Sequence, residues 1–452
     1  MNQLPPTLLQ SLQNLPGFDE QPFIKVHQSG EQITSIRVNS NKFSIANSQL
    51  KIENKVEWSS QGYYLKERPS FTLDPLFHAG AYYVQEASSM FLEEALKQSI
   101  DLSQPLKVLD LCAAPGGKST LIQSVISKDS LLISNEVIKT RVNILSENIT
   151  KWGASNVIVT NNDPKDFQRL KNYFDVIVVD APCSGSGLFR KDNEAIDEWS
   201  EQNVNLCSRR QQRILADIIP ALKENGVLIY STCSYSKQED EDICDWLIKE
   251  CQLSIVNFQL PANWNIIESN DHGYRFYPDK VKGEGFFIAA FRKQQVESGE
   301  MQVVKNQNKA EKITAKEIEV IRTYLKDISS FSFIKLKDEI ISIPSHLAND
   351  LSIIQAALYI KKAGTKIGTI IRDELIPDHE LALSNMLSDT VFNIEVDEQT
   401  ALQYLRRAAI ELSSEQKGWA LLKFQGVPLG WVKLLPGRVN NYYPKEWRIL
   451  NK

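Results

Sequence analysis

Cysteine and histidine are scarce in this chain of 452 residues, at six and five. Six cysteines are too few for a scaffold built on disulfides. No C-x-x-C pair occurs, and His27, His78, His272, His346 and His379 are scattered, so a zinc site is not expected and no metal is assigned. No apolar run approaches the roughly 20 residues of a membrane-spanning helix. The opening MNQLPPTLLQSLQNL has neither a basic stretch nor an apolar core, so a secretory leader is not expected and a reducing cytoplasm is. The G-x-G-x-x-G fingerprint of dinucleotide-binding enzymes is missing, and no internal repeat is present. What the chain does have is an ordinary globular composition, 42% hydrophobic and 24% charged, which excludes disordered, collagen-like and coiled-coil classes. Its net charge of −5 argues against a binder of polyanions over its whole surface. Residues 401–452, however, hold nine Lys or Arg against three Asp or Glu, a basic tail suited to a phosphate-bearing partner.

Patterning along the chain predicts several modules. Residues 1–74 combine a short helical start with an alternating, strand-like stretch, GEQITSIRVNSNKFSI, and form a small α+β domain. Over 75–293 short apolar runs alternate with amphipathic segments. LKVLDL, LLISN, NVIVTN, FDVIVVD and GVLIYST read as buried strands with helices between them, the pattern of a parallel, doubly wound α/β sheet. Residues 294–312 are polar and read as a linker. A middle domain is expected over 313–388. Short strands punctuated by Gly and Pro over 389–452 predict a small β-rich domain.

The segment LKVLDLCAAPGGKST places Gly116 and Gly117 between a strand and a helix, where backbone amides can receive an anionic group. A phosphate-binding NTPase loop would need glycine where Cys112 stands. Three acids then follow at strand ends: Glu136, Asp163 and Asp180. One such acid alone is an ordinary solvated strand end. Three in succession after a glycine turn suit an adenosine ligand, with Glu136 on the ribose hydroxyls and Asp163 near the adenine. S-adenosylmethionine fits this pattern better than a nicotinamide cofactor.

Two strands also deliver cysteines to that same edge, Cys183 in DAPCSGSGLFRKD and Cys233 in YSTCSYS. Each occupies a loop of small polar residues, unlike Cys207, Cys244 and Cys251, which fall on helices and read as core. A thiolate beside a methyl donor has a chemical use. Adding to carbon 6 of a pyrimidine, it makes carbon 5 nucleophilic enough to take the methyl group. Asp180 is placed to stabilise the ring nitrogen. Arg190 and Lys191, just beyond, are candidates for phosphate contacts.

These motifs, LDLCAAPGGKST, NNDP, VVDAPCSGSGLFRKD and YSTCSYSKQEDE, resemble those of the Sun/Nop-type RNA (cytosine-5) methyltransferases. SIRVNS, YYVQEASSM, DEWS and GEGFFIAAFRK extend the likeness over about residues 35–293. The resemblance implies a Rossmann-like methyltransferase sheet, Cys233 as nucleophile, and Cys183 assisting release of the covalent product. It implies cofactor contacts from Cys112, Ala113, Ala114, Pro115, Gly116, Gly117, Lys118, Glu136, Asp163 and Asp180. The carboxyl-terminal region is similar to the RNA-binding, PUA-like appendage of bacterial 16S rRNA members. Its Lys423, Lys433, Arg438, Lys445 and Arg448 interleave with Trp431, Tyr442, Tyr443 and Trp447, so that aromatic faces could stack on bases while cations meet phosphates. The expectation is a monomeric cytoplasmic enzyme acting on 16S rRNA or the small subunit. A tRNA target, a non-catalytic assembly factor and an NTPase are the alternatives.

Overall fold

The computed structural model describes residues 4–269, 272–294 and 311–450; the expected linker, apart from its two ends, lies outside them. Four strands, β1 (Thr34–Val38), β2 (Ile52–Lys55), β3 (Gly62–Leu65) and β4 (Tyr82–Val84), form an amino-terminal antiparallel sheet in the order β2-β3-β1-β4. Five strands follow at the positions of the apolar runs: β5 (Lys107–Asp110), β6 (Leu131–Asn135), β7 (Val157–Thr160), β8 (Phe174–Asp180) and β9 (Leu222–Thr232). They pair in parallel in the order β7-β6-β5-β8-β9. Their side chains are buried on both faces, which is why the runs are continuously apolar rather than alternating.

The sheet then extends beyond its parallel centre. Strands β10 (Leu253–Val256), β11 (Ile267–Glu268), β12 (Tyr274–Phe276) and β13 (Phe286–Lys293) continue it antiparallel past β9. After β14 (Glu311–Lys312), β15 (Phe331–Leu336) and β16 (Glu339–Pro344), strand β17 (Ile360–Ala363) pairs antiparallel with β7 and closes the other edge. Strands β14-β15-β16-β18-β19, with β18 (Thr365–Ile371) and β19 (Glu374–Pro377), make a sheet of their own. The last sheet holds β20 (Asn393–Glu395), β21 (Gly418–Phe424), β22 (Val427–Leu435) and β23 (Arg438–Asn441).

Helices cover both faces of the large sheet. Leu96, Leu121 and Leu145, on helices Leu92–Ser99, Gly117–Val125 and Lys139–Trp152, pack over Val108, Leu132 and Val178. Leu215, Leu247 and Ile354, on Glu201–Ile218, Glu241–Cys251 and Ala348–Ala357, cover Leu109, Ile133 and Ile177 on the opposite face. The first and last sheets share one apolar cluster, in which Ile36 and Val38 meet Ala420, Leu422 and Val432. Among the described residues no helix is long and apolar enough to cross a membrane.

Arg37 of the SIRVNS motif joins the first sheet to the glycine-turn helix. Its buried guanidinium donates to Gln85 Oε1 at 2.8 Å, Thr120 Oγ1 at 2.6 Å and Gly117 O at 3.3 Å, and lies 4.5 Å over the Trp152 ring.

Candidate active site

Chain order reverses between β5 and β8, each the partner of the other. In an open α/β sheet that reversal leaves a crevice at the carboxyl ends of the strands. The turn after β5 enters it. Gly116 caps the following helix at φ +117°, a conformation side chains disfavour. Arg141 Nη2 donates to Ala114 O at 2.7 Å and Asn148 Nδ2 to Pro115 O at 2.8 Å, so the next helix pins the turn from behind.

Acids ring the crevice. Glu136 is buried at the end of β6, its Oε1 accepting from Ile138 N at 2.8 Å and its Oε2 3.5 Å from Arg141. Asp180 ends β8, accepts from Ser231 Oγ at 2.8 Å and pairs with Lys118 Nζ at 2.7 Å. Burial works to lower the Lys118 ammonium, but the charge and hydrogen bond of Asp180 outweigh it and raise it, so the lysine stays charged. Asp110, at the end of β5, is fully buried; its Oδ2 accepts from Ser119 Oγ at 2.6 Å and its Oδ1 has no partner. Burial pushes the Asp110 carboxyl up to about 7 against the opposing Ser119 and Lys118. A cavity of about 610 Å³ is lined by Cys112, Ala114, Glu136, Asp180, Cys183 and Cys233, with Arg141, Arg210 and Arg213 supplying positive charge.

The two cysteines meet. Cys183 Sγ lies 3.1 Å from Cys233 Sγ, and both thiols are free. Its hydrogen bond with Cys233, together with burial, holds the Cys183 thiol well above the ordinary thiol range. Burial, with Asp110 and Asp180 close by, raises the Cys112 thiol as well. The two loops are tied by Gly187 N donating to Cys233 O at 2.8 Å. A Cβ on Gly187 would stand 2.4 Å from Gly285 O and 2.8 Å from Cys233 O, so only glycine admits this approach. Glu239, fully buried in the QEDE segment, accepts from Ser184 N at 2.8 Å, Ser184 Oγ at 2.5 Å and Ser234 Oγ at 2.6 Å.

Not every expected residue faces the cavity. Asp163 caps its own turn, accepting from Lys165 N at 3.2 Å and standing 3.6 Å from Arg213, while the adjacent Pro164 lines the space. Ala113, Pro115, Gly116 and Gly117 shape the turn, and Lys118 reaches the site through Asp180. Arg190 is no phosphate contact. Its side chain is 3% exposed, donates to Gly283 O and Glu31 O, and lies 3.5 Å from buried Glu284. In the last sheet Trp431 and Tyr443 are core residues, not stacking platforms. Trp431 Nε1 donates to Asp378 O at 2.8 Å, and Lys433 is paired with Glu374. Sequence reasoning missed Asp110 and Glu239. Asp110 carried the same signal as Glu136 and Asp180, an acid closing an apolar strand. Glu239 falls within the motif YSTCSYSKQEDE, but no neighbour along the chain marks it as a buried tie between two loops rather than a solvated acid.

The strand order, the glycine turn and the acids at the carboxyl edge define a Rossmann-like α/β protein with a ligand crevice at the switch point of its sheet. Comparison with known proteins gives the family. A model described as 16S rRNA methyltransferase RsmB/F matches residues 98–292, flanked by the N-terminal domain of 16S rRNA methyltransferase RsmF at 4–87 and the methyltransferase RsmF PUA domain at 391–449. The ribosomal RNA small subunit methyltransferase F of Shewanella loihica is 31% identical over 442 residues, 91% of this chain and 88% of that protein. Its counterpart in Aeromonas salmonicida is 31% identical over 437 residues, 91% and 90% of the two chains. Among solved structures, a methyltransferase homolog protein from Pyrococcus horikoshii shares 28% identity at a TM-score of 0.52, over 64% of this chain and 100% of that one. NSun6 from the same organism, solved with SFG, shares the fold at 21% identity and a TM-score of 0.55, over 65% and 99%. The chain belongs to the RsmB/F family of 16S rRNA methyltransferases, with an RsmF-type PUA domain at its carboxyl end.

Proposed function

We propose that this protein methylates carbon 5 of a cytosine in 16S rRNA, with S-adenosylmethionine as donor, in the cytoplasm and as a single chain. The observation that supports this most is the meeting of two sulfur atoms, 3.1 Å apart, at the wall of the cavity that Glu136 and Asp180 also line. That cavity suits the donor. Glu136 offers a carboxylate to ribose hydroxyls, and Cys112 and Ala114 bring the glycine turn to the cavity wall. When bound, S-adenosylmethionine supplies an electrophilic methyl group on a sulfonium.

The chain's own residues do the rest. Cys233 adds through sulfur to carbon 6 of a cytosine drawn out of its stack, which costs a few kcal/mol and least where the base is unpaired. Lys118 keeps a positive charge near that sulfur; Asp180 would take up the proton Cys233 gives up and return it as a hydrogen bond to the ring nitrogen as electron density reaches it. After methyl transfer carbon 5 gives its proton to water acting as base, the carbon 5–carbon 6 double bond re-forms, and Cys233 leaves as thiolate with the electrons of the carbon–sulfur bond. Cys183, held as a thiol against Cys233, is placed to assist that release. The flanking sheets and the basic tail would hold the RNA.

The test uses 16S rRNA, tRNA and tritiated donor. Cys183→Ala should accumulate a denaturation-resistant protein–RNA adduct and Cys233→Ala should form none. Adduct in the Cys233 variant would reverse the assigned roles, and no label in any RNA would leave a binding protein. Bisulfite sequencing separates an rRNA target from a tRNA target.

A further inference from the structure

Two loops from different strands must bring their sulfurs to one point, yet among the described residues the one carboxylate bonded to both serines that follow the cysteines is not in the cavity. It lies behind it. Glu239 Oε1 accepts from Ser184 N at 2.8 Å and from Gln211 Nε2 at 3.3 Å; its Oε2 accepts from Ser184 Oγ at 2.5 Å and Ser234 Oγ at 2.6 Å. Ser184 follows Cys183, and Ser234 follows Cys233. Gln211 Nε2 also donates to Pro182 O at 3.1 Å, so Ser184 is held by the carboxylate directly and Pro182 through Gln211. Tyr230 Oη donates to the Glu239 carbonyl at 2.6 Å, anchoring the residue to β9 itself.

A carboxylate with no exposure is an expensive way to join two loops, since each of its acceptor sites must be filled to offset lost hydration. Here three of the four bonds come from the serines that follow the two cysteines, and the fourth from Gln211. Fixing the residue after each cysteine fixes the direction of its Cα–Cβ bond and so the place of its sulfur. We propose that Glu239 is a positioning residue for the reaction at the paired thiols, setting the separation of Cys183 and Cys233 by holding the serine after each on one carboxylate. The proposal rests on the reading above for its catalytic consequence, but not for its geometry.

The experiment reads geometry and catalysis separately. In the full-length protein without RNA or donor, diamide converts two neighbouring thiols to a disulfide; an S–S bond forms, and the two thiol hydrogens reduce the azo group to a hydrazine. Peptide mapping follows the Cys183–Cys233 crosslink. Glu239→Ala should slow it by about tenfold or more, while Glu239→Gln, which keeps the shape and one acceptor, should stay within about threefold of the parent. Ser184→Ala and Ser234→Ala each remove one hydroxyl bond to Glu239, and should show intermediate slowing even if Glu239→Ala does not fold. In methyl transfer Glu239→Ala should lower kcat by about a hundredfold, the scale of a misplacement near 1 Å, with KM for RNA and the affinity for S-adenosylhomocysteine nearly unchanged.

Crosslinking at the parent rate in the Ser184→Ala and Ser234→Ala variants would overturn the proposal. So would a parallel loss of kcat and of S-adenosylhomocysteine affinity in Glu239→Gln, which would make the residue merely structural. If Cys183→Ala alone traps no adduct while the crosslink still depends on Glu239, the covalent reading fails and the positioning role stands.

Discussion

Asp110 shows how a single side chain at this site carries its own pH dependence. Its carboxyl is pushed up to about 7 by burial, whereas in the unfolded chain it ionises near the ordinary value of about 4. Between those two values the folded protein keeps a proton that the unfolded chain gives up. Stability therefore falls as pH rises through this window and levels off above it. Asp110→Asn removes the titration while Ser119 can still donate to the amide oxygen. Its thermal midpoint should exceed the parent's by a margin that grows from pH 5 to pH 8; a constant margin would refute the assignment. At this scale the sequence was legible where a side chain's role depends on its own strand. Cys183, Cys233, Glu136 and Asp180 all stand where their strands end. Arg190 and Trp431 were misread because a charge or an aromatic in a loop-rich stretch looks exposed until Glu284 or Asp378 is found against it.

At the scale of elements, the loops after β8 and β9 hold each other through backbone as much as through side chains. Gly187→Ala would drive a methyl group into Gly285 O and Cys233 O, and neither backbone atom can move without displacing a cysteine loop. The expected result is a destabilisation of about 1–3 kcal/mol, the cost typical of overpacking. A loss of methyl transfer larger than the loss of folded protein should accompany it, read by activity and circular dichroism on the same sample. Unchanged activity would mean that the two loops are not coupled through this contact. The parallel strands were readable because burial on both faces leaves uninterrupted apolar runs. The antiparallel extension β10 to β13 and the edge strand β17 were not: short runs such as Ile360–Ala363 look alike whichever sheet they join.

Across the whole molecule, the first and last sheets pack on one another. Ile36 and Val38 from the first sheet lie in one cluster with Leu422 and Val432 from the last, and Leu351 and Ile354 of the middle region cover a face of the large sheet. The carboxyl-terminal aromatics accordingly divide into two kinds. Trp431→Ala should destabilise the protein by about 3–5 kcal/mol, as large core deletions do. Tyr442 is 40% exposed beside Trp419, and Tyr442→Ala should weaken RNA binding at constant stability, checked by fluorescence anisotropy and thermal melts. Equal RNA affinity in the Tyr442 variant would remove this face from the interface.

The amino-acid sequence by itself determined the local properties: which runs are apolar enough to be buried strands, where glycine permits a tight turn, and which strands end in an acid or a thiol. Those depend only on neighbours along the chain. Tertiary structure alone decided that two cysteines fifty positions apart stand within 3.1 Å, that Glu239 lies behind both, and that Arg190 and Trp431 are interior. Each of these is a meeting of groups distant in sequence, set by strand order and by desolvation that no local pattern records.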